Sequence, residues 1–148
     1  MTTISRSALV HHSARTMFDL VNDVDRYKEF LPWCSDSGVI EQHGDELKAF
    51  VTISKGGVSR SFTTRNRAQP GKMLEVRLVE GPFKRLDGYW RFQSLGDNAS
   101  KVALDMEFEF SNAIVRMAFG RVFDQVANRL VDSFVTRADQ LYGRKKKA

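Results

Sequence analysis

Between Ala113 and Tyr142 apolar residues return every three or four positions, as Phe119, Phe123, Val126, Ala127, Leu130, Phe134, Ala138 and Leu141. Arg121, Asp124, Gln125, Asn128, Asp132 and Asp139 fill the other side of the wheel. The spacing predicts one amphipathic helix with a face built to be buried. Asn112 is placed to cap its N-terminus, and Gly143 stands where a left-handed residue closes a helix. At 1.5 Å per residue the segment is about 45 Å long, enough to cross a whole sheet. Gly120 interrupts the pattern at a cost of about 1 kcal/mol relative to alanine. Its place on the flank of the apolar face points to close backbone approach or a bend.

Upstream, the period changes. Thr2 to Val10 reads as a strand, and Ala14 to Asn22 as a short helix capped by Ser13, with Met17, Phe18, Leu20 and Val21 on its apolar side. A second short helix is expected over Val24 to Leu31, capped by Asp23 and ended by Pro32, which disfavours helical geometry at Leu31. Strands follow at Val39 to Gln42, Leu47 to Ser54, Val58 to Ala68, Met73 to Val79, Phe83 to Leu95 and Lys101 to Phe110. The segments between them are turn-forming: His43-Gly44-Asp45, Gly56-Gly57, Pro70-Gly71, Gly81-Pro82 and Gly96-Asp97-Asn98. Such short connections make consecutive antiparallel hairpins, not parallel crossovers. In the last strand Val102, Leu104, Met106, Phe108 and Phe110 alternate with Asp105, Glu107 and Glu109. In the one before it, Leu86, Gly88, Trp90 and Phe92 alternate with Asp87, Tyr89, Arg91 and Gln93. Arg65, Arg67, Arg77 and Arg91 then share the outer face with Glu75, Asp87, Glu107 and Glu109, and are read as a solvated ladder of cross-strand pairs in preference to an RNA-binding surface. The predicted class is α+β: a curved antiparallel sheet of six or seven strands around a long C-terminal helix, with two short helices after the first strand.

A curved sheet and a straight helix separate away from their line of contact, and the space between them can hold a ligand. The candidate lining is Trp90, Phe92, Met106, Phe108, Phe119, Phe123, Val126 and Leu130, apolar and nearly free of charge, which suits a lipid or isoprenoid better than a polar metabolite. The same residues equally suit a plain core.

The chain has 148 residues, which is most simply one domain, and a single cysteine, Cys34, which excludes an internal disulfide and fits a reducing compartment. The N-terminal stretch has neither an apolar h-region nor a basic amphipathic presequence, and no run approaches the roughly 18 apolar residues of a membrane span. A cytoplasmic protein is expected. The formal charge is +5, but Arg144 to Lys147 supply four of the 23 basic residues, leaving 19 against 18 acidic ones in residues 1–143. The division expected is one domain over 1–143 and a basic tail over 144–148 that can attract phosphates. No DNA partner is expected.

Three stretches carry a resemblance: Met17-Phe18-Asp19-Leu20-Val21 with Asp23-Val24; Tyr27-Lys28-Glu29-Phe30-Leu31-Pro32-Trp33-Cys34; and Gly81-Pro82-Phe83-Lys84-Arg85-Leu86 followed by Gly88, Trp90 and Phe92. With Ala118-Phe119-Gly120-Arg121-Val122-Phe123 they resemble the coenzyme-Q-binding START-like family, of polyketide cyclase/dehydrase type, over nearly the whole chain. The resemblance implies a helix-grip fold and an apolar cavity for ubiquinone or a related polyisoprenoid, in the service of respiratory electron transport. For a bacterial branch that includes a ribosome association toxin, it also implies binding to the large ribosomal subunit and a block of subunit association. The sequence departs from the family at Lys28, where proline is common, so lid behaviour does not carry over directly. Phe30, Leu31, Pro32 and Trp33 are expected to form a mobile apolar lip able to touch a bilayer interface, with peripheral contact at the inner membrane; Phe83 follows a tight turn beside them in the ligand-site candidate set. The alternative is that Phe30 and Trp33 close the core.

Catalytic chemistry finds little support. Cys34 has no base placed beside it in sequence. His11 and His12 are adjacent and lack further ligands at metal spacing, and His43 lies in a turn. No phosphate loop, dinucleotide fingerprint or triad motif occurs. The expectation is a non-enzyme with no catalytic cofactor, which binds ubiquinone or a similar lipid or, alternatively, docks on the ribosome.

Overall fold

The computed structural model describes residues 2–143; the basic tail lies outside the described residues. Strand β1 (Thr2–Val10) leads into α1 (Ala14–Asn22), then a 3-10 turn (Val24–Arg26) running into α2 (Tyr27–Phe30). Six strands follow: β2 (Cys34–His43), β3 (Glu46–Lys55), β4 (Val58–Gln69), β5 (Met73–Glu80), β6 (Phe83–Ser94) and β7 (Ser100–Phe110). Helix α3 (Ala113–Tyr142) ends the described fold. All pairings are antiparallel, in the order β1-β7-β6-β5-β4-β3-β2. Only β1 leaves sequence order: it pairs with β7, Ile4 opposite Met106, so the first strand flanks the last.

Local chemistry explains the boundaries. The Ser13 side chain accepts from the Thr16 amide, and Asn112 accepts from Val115, so both main helices start where a short polar side chain satisfies a free N–H. The β3–β4 hairpin turns at Gly56 and Gly57, both at positive φ (59° and 81°), the backbone that a two-residue hairpin requires. Gly81, in the turn between β5 and β6, also has positive φ, and a Cβ there would lie 2.5 Å from Phe62 Cβ, so no side chain fits between this turn and β4. Register shifts in β2, β5 and β6 bend the strands, and the sheet wraps α3 so that the helix meets β1 and β7 on one side and β4 on the other.

Three expectations need correction. The second helix is a 3-10 turn plus a single α-helical turn, and Asp23 makes no capping bond; it pairs with Arg26 at 3.1 Å instead. The tighter turn leaves Val24 buried, and the Tyr27 hydroxyl donates to the Val21 carbonyl at the end of α1. Strand β2 begins at Cys34 rather than Val39, because buried Ser37 donates to the Val24 carbonyl at 2.7 Å, a tertiary bond that a polar stretch does not advertise. On α3, Leu141 is 48% exposed in the last turn, while Val131, outside the expected stripe, is buried. Gly120 faces Phe110, and an added Cβ would meet Arg116 Cγ at 3.4 Å and that ring at 3.5 Å, ordinary contact distances, so the packing there does not require a glycine.

The core lies between sheet and helix in two aromatic groups. Towards the start of α3, Phe83, Phe108, Phe119 and Phe123 interlock, with Phe123 centred 4.8 Å from Phe83 and 4.7 Å from Phe108. Towards its end, Phe18, Trp90, Phe92 and Phe134 do the same, with Trp90 edge-on to Phe134 at 5.5 Å.

Candidate functional site

Between the two groups, near the middle of α3, is a cavity of about 90 Å³. Its floor is the inward-facing row of the sheet: Ala49 and Val51 of β3, Phe62, Thr64 and Asn66 of β4, Val76 of β5, Leu86, Gly88 and Trp90 of β6, and Leu104 and Met106 of β7. Its roof is Leu130 of α3 with Val24 and Tyr27 from the segment after α1. The space arises where small inward residues adjoin: Ala49 pairs with Thr64 across β3 and β4, and Gly88 has no side chain opposite Val76 and Met106. The wall is apolar except for Thr64, Asn66, the Tyr27 hydroxyl and the indole N–H of Trp90. Tyr27 is the one titratable group on it; burial pushes its phenol far above the ordinary value, so it stays neutral.

The structure brings three of the expected residues, Trp90, Met106 and Leu130, onto the cavity wall. Phe83, Phe108, Phe119, Phe123 and Val126 are placed in the aromatic group at one end, and Phe92 in the group at the other. Leu31 is 2% exposed, and Phe30 and Trp33 are half-buried. Phe30 sits under the Arg137 guanidinium, 4.9 Å from the ring centre, and against Phe134; Trp33 packs against both aromatic groups. Pro32 is exposed. Lys28 turns to β2, where its Nζ donates to the Ser37 carbonyl at 3.0 Å. Missing from the sequence-level set were Tyr27, Thr64, Asn66 and Gly88. Alternation in β4 and β6 showed which way the last three point, but not that they meet.

Elsewhere, Cys34 is buried and donates to the Asp36 carbonyl at 3.3 Å; burial raises its thiol pKa, which leaves it a poor nucleophile. His11 and His12 follow β1; His12 is buried and bonds Asp139 at 2.8 Å, tying the end of β1 to the last turns of α3. Among the described residues no group of three or more His, Cys, Asp or Glu could hold a metal. The outer face of the sheet carries the anticipated ladder: Arg77 with Glu75 and Asp87, Arg85 with Asp87 and Glu107, Arg91 with Asp105, and Arg65 and Arg67 with Glu46. A wider groove of about 610 Å³ crosses β1, β7, β6 and β5 at the surface, but Arg6, Lys72, Arg91, Lys101 and Asp105 line it, so it does not suit an apolar ligand. The large exposed apolar residues at the start of α3 are Ile114 and Met117. Among the described residues no helix is long and apolar enough to cross a membrane.

Comparison with known proteins agrees with this architecture. The family described as polyketide cyclase/dehydrase and lipid transport matches residues 10–135. The chain is 49% identical to a protein named ribosome association toxin RatA from Pseudomonas aeruginosa, over 96% of this chain and 99% of that one. It is 50% identical to the protein of the same name from Vibrio cholerae, over 97% and 99%. It is 28% identical to the mitochondrial coenzyme Q-binding protein COQ10 homolog B of Xenopus laevis, over 95% of this chain and 59% of that one. Among solved structures, the Zhui aromatase/cyclase of a Streptomyces species superposes with a TM-score of 0.83 at 15% identity, covering 94% of each chain. An 18 kDa protein of Caulobacter crescentus superposes at 0.74 and 30% identity, covering 97% and 99%. A helix gripped by a seven-stranded antiparallel sheet, a match across most of the chain and relatives at half identity lead to one assignment: the chain belongs to the START-like polyketide cyclase/dehydrase and lipid-transport family.

Proposed function

We propose that this protein binds a lipophilic ligand, ubiquinone or a related isoprenoid, between the sheet and α3, and acts as a non-catalytic carrier or chaperone for it in support of respiratory electron transport. The observation that carries this reading is the apolar cavity at the middle of α3. A volume of about 90 Å³ takes a ring-sized group, whereas whole small-molecule sites run to roughly 300–1,000 Å³. An isoprenoid tail therefore requires α3 and the sheet to move apart, and at that seam Leu130 of α3 faces β7, where Met106 is unbranched and flexible. The name of the COQ10 relative adds support. In support of a non-catalytic role, Tyr27, the titratable group on the wall, is kept neutral by burial and already bonded to the Val21 carbonyl. Peripheral contact with a bilayer belongs to the same reading, and exposed Ile114 and Met117 beside Arg116 are chemically suited to it. Native mass spectrometry with lipid extraction, on protein purified from a quinone-producing bacterium, tests the proposal. A co-purifying quinone or isoprenoid of defined mass is expected; protein that carries none and takes up no added quinone would refute it.

The relatives named for ribosome association support a second reading, in which the protein docks on the large ribosomal subunit and restrains subunit association. The two readings are compatible. Co-sedimentation with purified large subunits at rising salt tests it: contacts to phosphates weaken steeply with ionic strength, whereas ligand binding in an apolar cavity does not.

A further inference from the structure

The polar exceptions on the cavity wall point to how a ligand is oriented there. Thr64 and Asn66 lie on the inward face of β4, 7% and 4% exposed, among Ala49, Val76 and Leu86. The Thr64 hydroxyl donates to the Asn66 side-chain oxygen at 2.8 Å. That bond occupies the oxygen end of the carboxamide and sets its orientation. The nitrogen end, with two N–H donors, has no hydrogen-bond partner among the described residues. A polar side chain on a residue only 4% exposed is normally satisfied, and an apolar core position has no need of an asparagine. The neighbouring Tyr27 hydroxyl is already committed to the Val21 carbonyl, which leaves the Asn66 amide, besides the Trp90 indole N–H, to donate from this wall, and only the amide is held in place by a second side chain.

We propose that Asn66, oriented by Thr64, is the polar anchor of the cavity and selects lipophiles that place a carbonyl oxygen, such as that of a quinone ring, against the Asn66 side-chain N–H. This rests on the reading of the cavity as a ligand site. Two features of the pair favour it over a purely structural role. The bond from Thr64 fixes the amide before any ligand arrives, so little rotamer freedom is lost on binding. A hydrocarbon tail gains nothing from the amide, so the anchor separates ring-bearing lipids from bare isoprenoids by the cost of leaving the donor unpaired.

The test compares a short-chain ubiquinone with squalene, an isoprenoid that has no oxygen, in wild type, Asn66→Leu and Thr64→Val, with thermal melts to confirm folding. Quinone binding is read by quenching of tryptophan fluorescence, and squalene by its competition with the quinone. In Asn66→Leu the quinone is expected to weaken about tenfold while squalene is unchanged or tighter; Thr64→Val is expected to weaken the quinone to a smaller extent. Because Asn66→Leu could also disturb the sheet, the carbonyl stretch of a ¹³C-labelled quinone is measured by infrared difference spectroscopy on wild-type protein. A shift to lower frequency on binding is the mark of a hydrogen-bonded carbonyl. Quinone bound with an unshifted carbonyl, or bound equally by all three proteins, overturns the anchor and leaves the cavity reading standing. Wild type that binds neither compound overturns both.

Discussion

Gly88 offers the sharpest test of the cavity, because a methyl group added there should strengthen the fold and a larger side chain should weaken binding. The residue lies on the inner face of β6 with ordinary extended backbone, and an added Cβ would sit 3.7 Å from Val76 Cβ and 3.9 Å from Met106 Cε, both normal contact distances. Alanine therefore enters without strain. Glycine in a strand costs roughly 0.5–1 kcal/mol relative to alanine, and a newly buried methyl contributes about 0.8 kcal/mol. Gly88→Ala is expected to stabilise by about 1.5 kcal/mol. A cavity of about 90 Å³ represents about 2 kcal/mol of forgone packing at roughly 24 cal/mol per Å³, so the expected gain stays within the available limit. For a chain of this size that raises the melting temperature by about 3–6 °C. Gly88→Val places two further methyl groups where a ring would lie, and quinone affinity should fall at least tenfold. Urea and thermal melts measure the first effect. Quenching of Trp90 by a short-chain ubiquinone, in a Trp33→Phe background that leaves one tryptophan of the two, measures the second. Destabilisation by Gly88→Ala, or undiminished quinone binding by a folded Gly88→Val protein, would refute the reasoning.

Two more expectations concern what surrounds the cavity. Phe123 is 3% exposed at the centre of the aromatic group near the start of α3, so Phe123→Ala should cost about 3–5 kcal/mol in urea denaturation; a loss below about 1 kcal/mol would mean that the group is loosely packed. Asp105 accepts from Ser5 at 2.7 Å and from Arg91, and the Ser5 bond is the main reason that its carboxyl lies below its ordinary 3.8. A carboxylate with a lowered folded pKa contributes stability above its unfolded value and loses it as pH falls through the folded one. The stability difference between wild type and Asp105→Asn should thus be present at about pH 6 and shrink below about pH 3.8. The effect should be small because the pair is at the surface, and a difference that grows on acidification contradicts the assignment.

Much of the framework is legible without coordinates, for reasons local to the chain. The period of α3, its Asn112 cap and its Gly143 terminus depend on residues three or four apart, and the structure reproduces those boundaries. The hairpins of β3 to β7 are similarly set by alternation and turn residues, within a residue or two at their ends. The outer arginine ladder follows from which side chains face outward. Where a tertiary bond competes with local preference, the reading fails: Ser37 reaching the Val24 carbonyl starts β2 early, and the Tyr27 hydroxyl reaching Val21 accompanies a tighter second helix.

The cavity belongs to the other class. Alternation establishes that Ala49, Thr64, Asn66, Gly88 and Leu104 all point inward, but it leaves open how four strands are offset against one another. Only the register that sets Ala49 beside Thr64, and Gly88 between Val76 and Met106, gathers the small residues at one place and opens a space there. The large aromatic residues, the natural candidates for a ligand site by composition, fill the two ends of the core because their volume packs best against one another. The sequence by itself determines the elements and their faces, since those depend on near neighbours. The tertiary structure decides where the volume between sheet and helix is left over and that a buried asparagine faces it, since both depend on residues brought together from strands far apart in the chain.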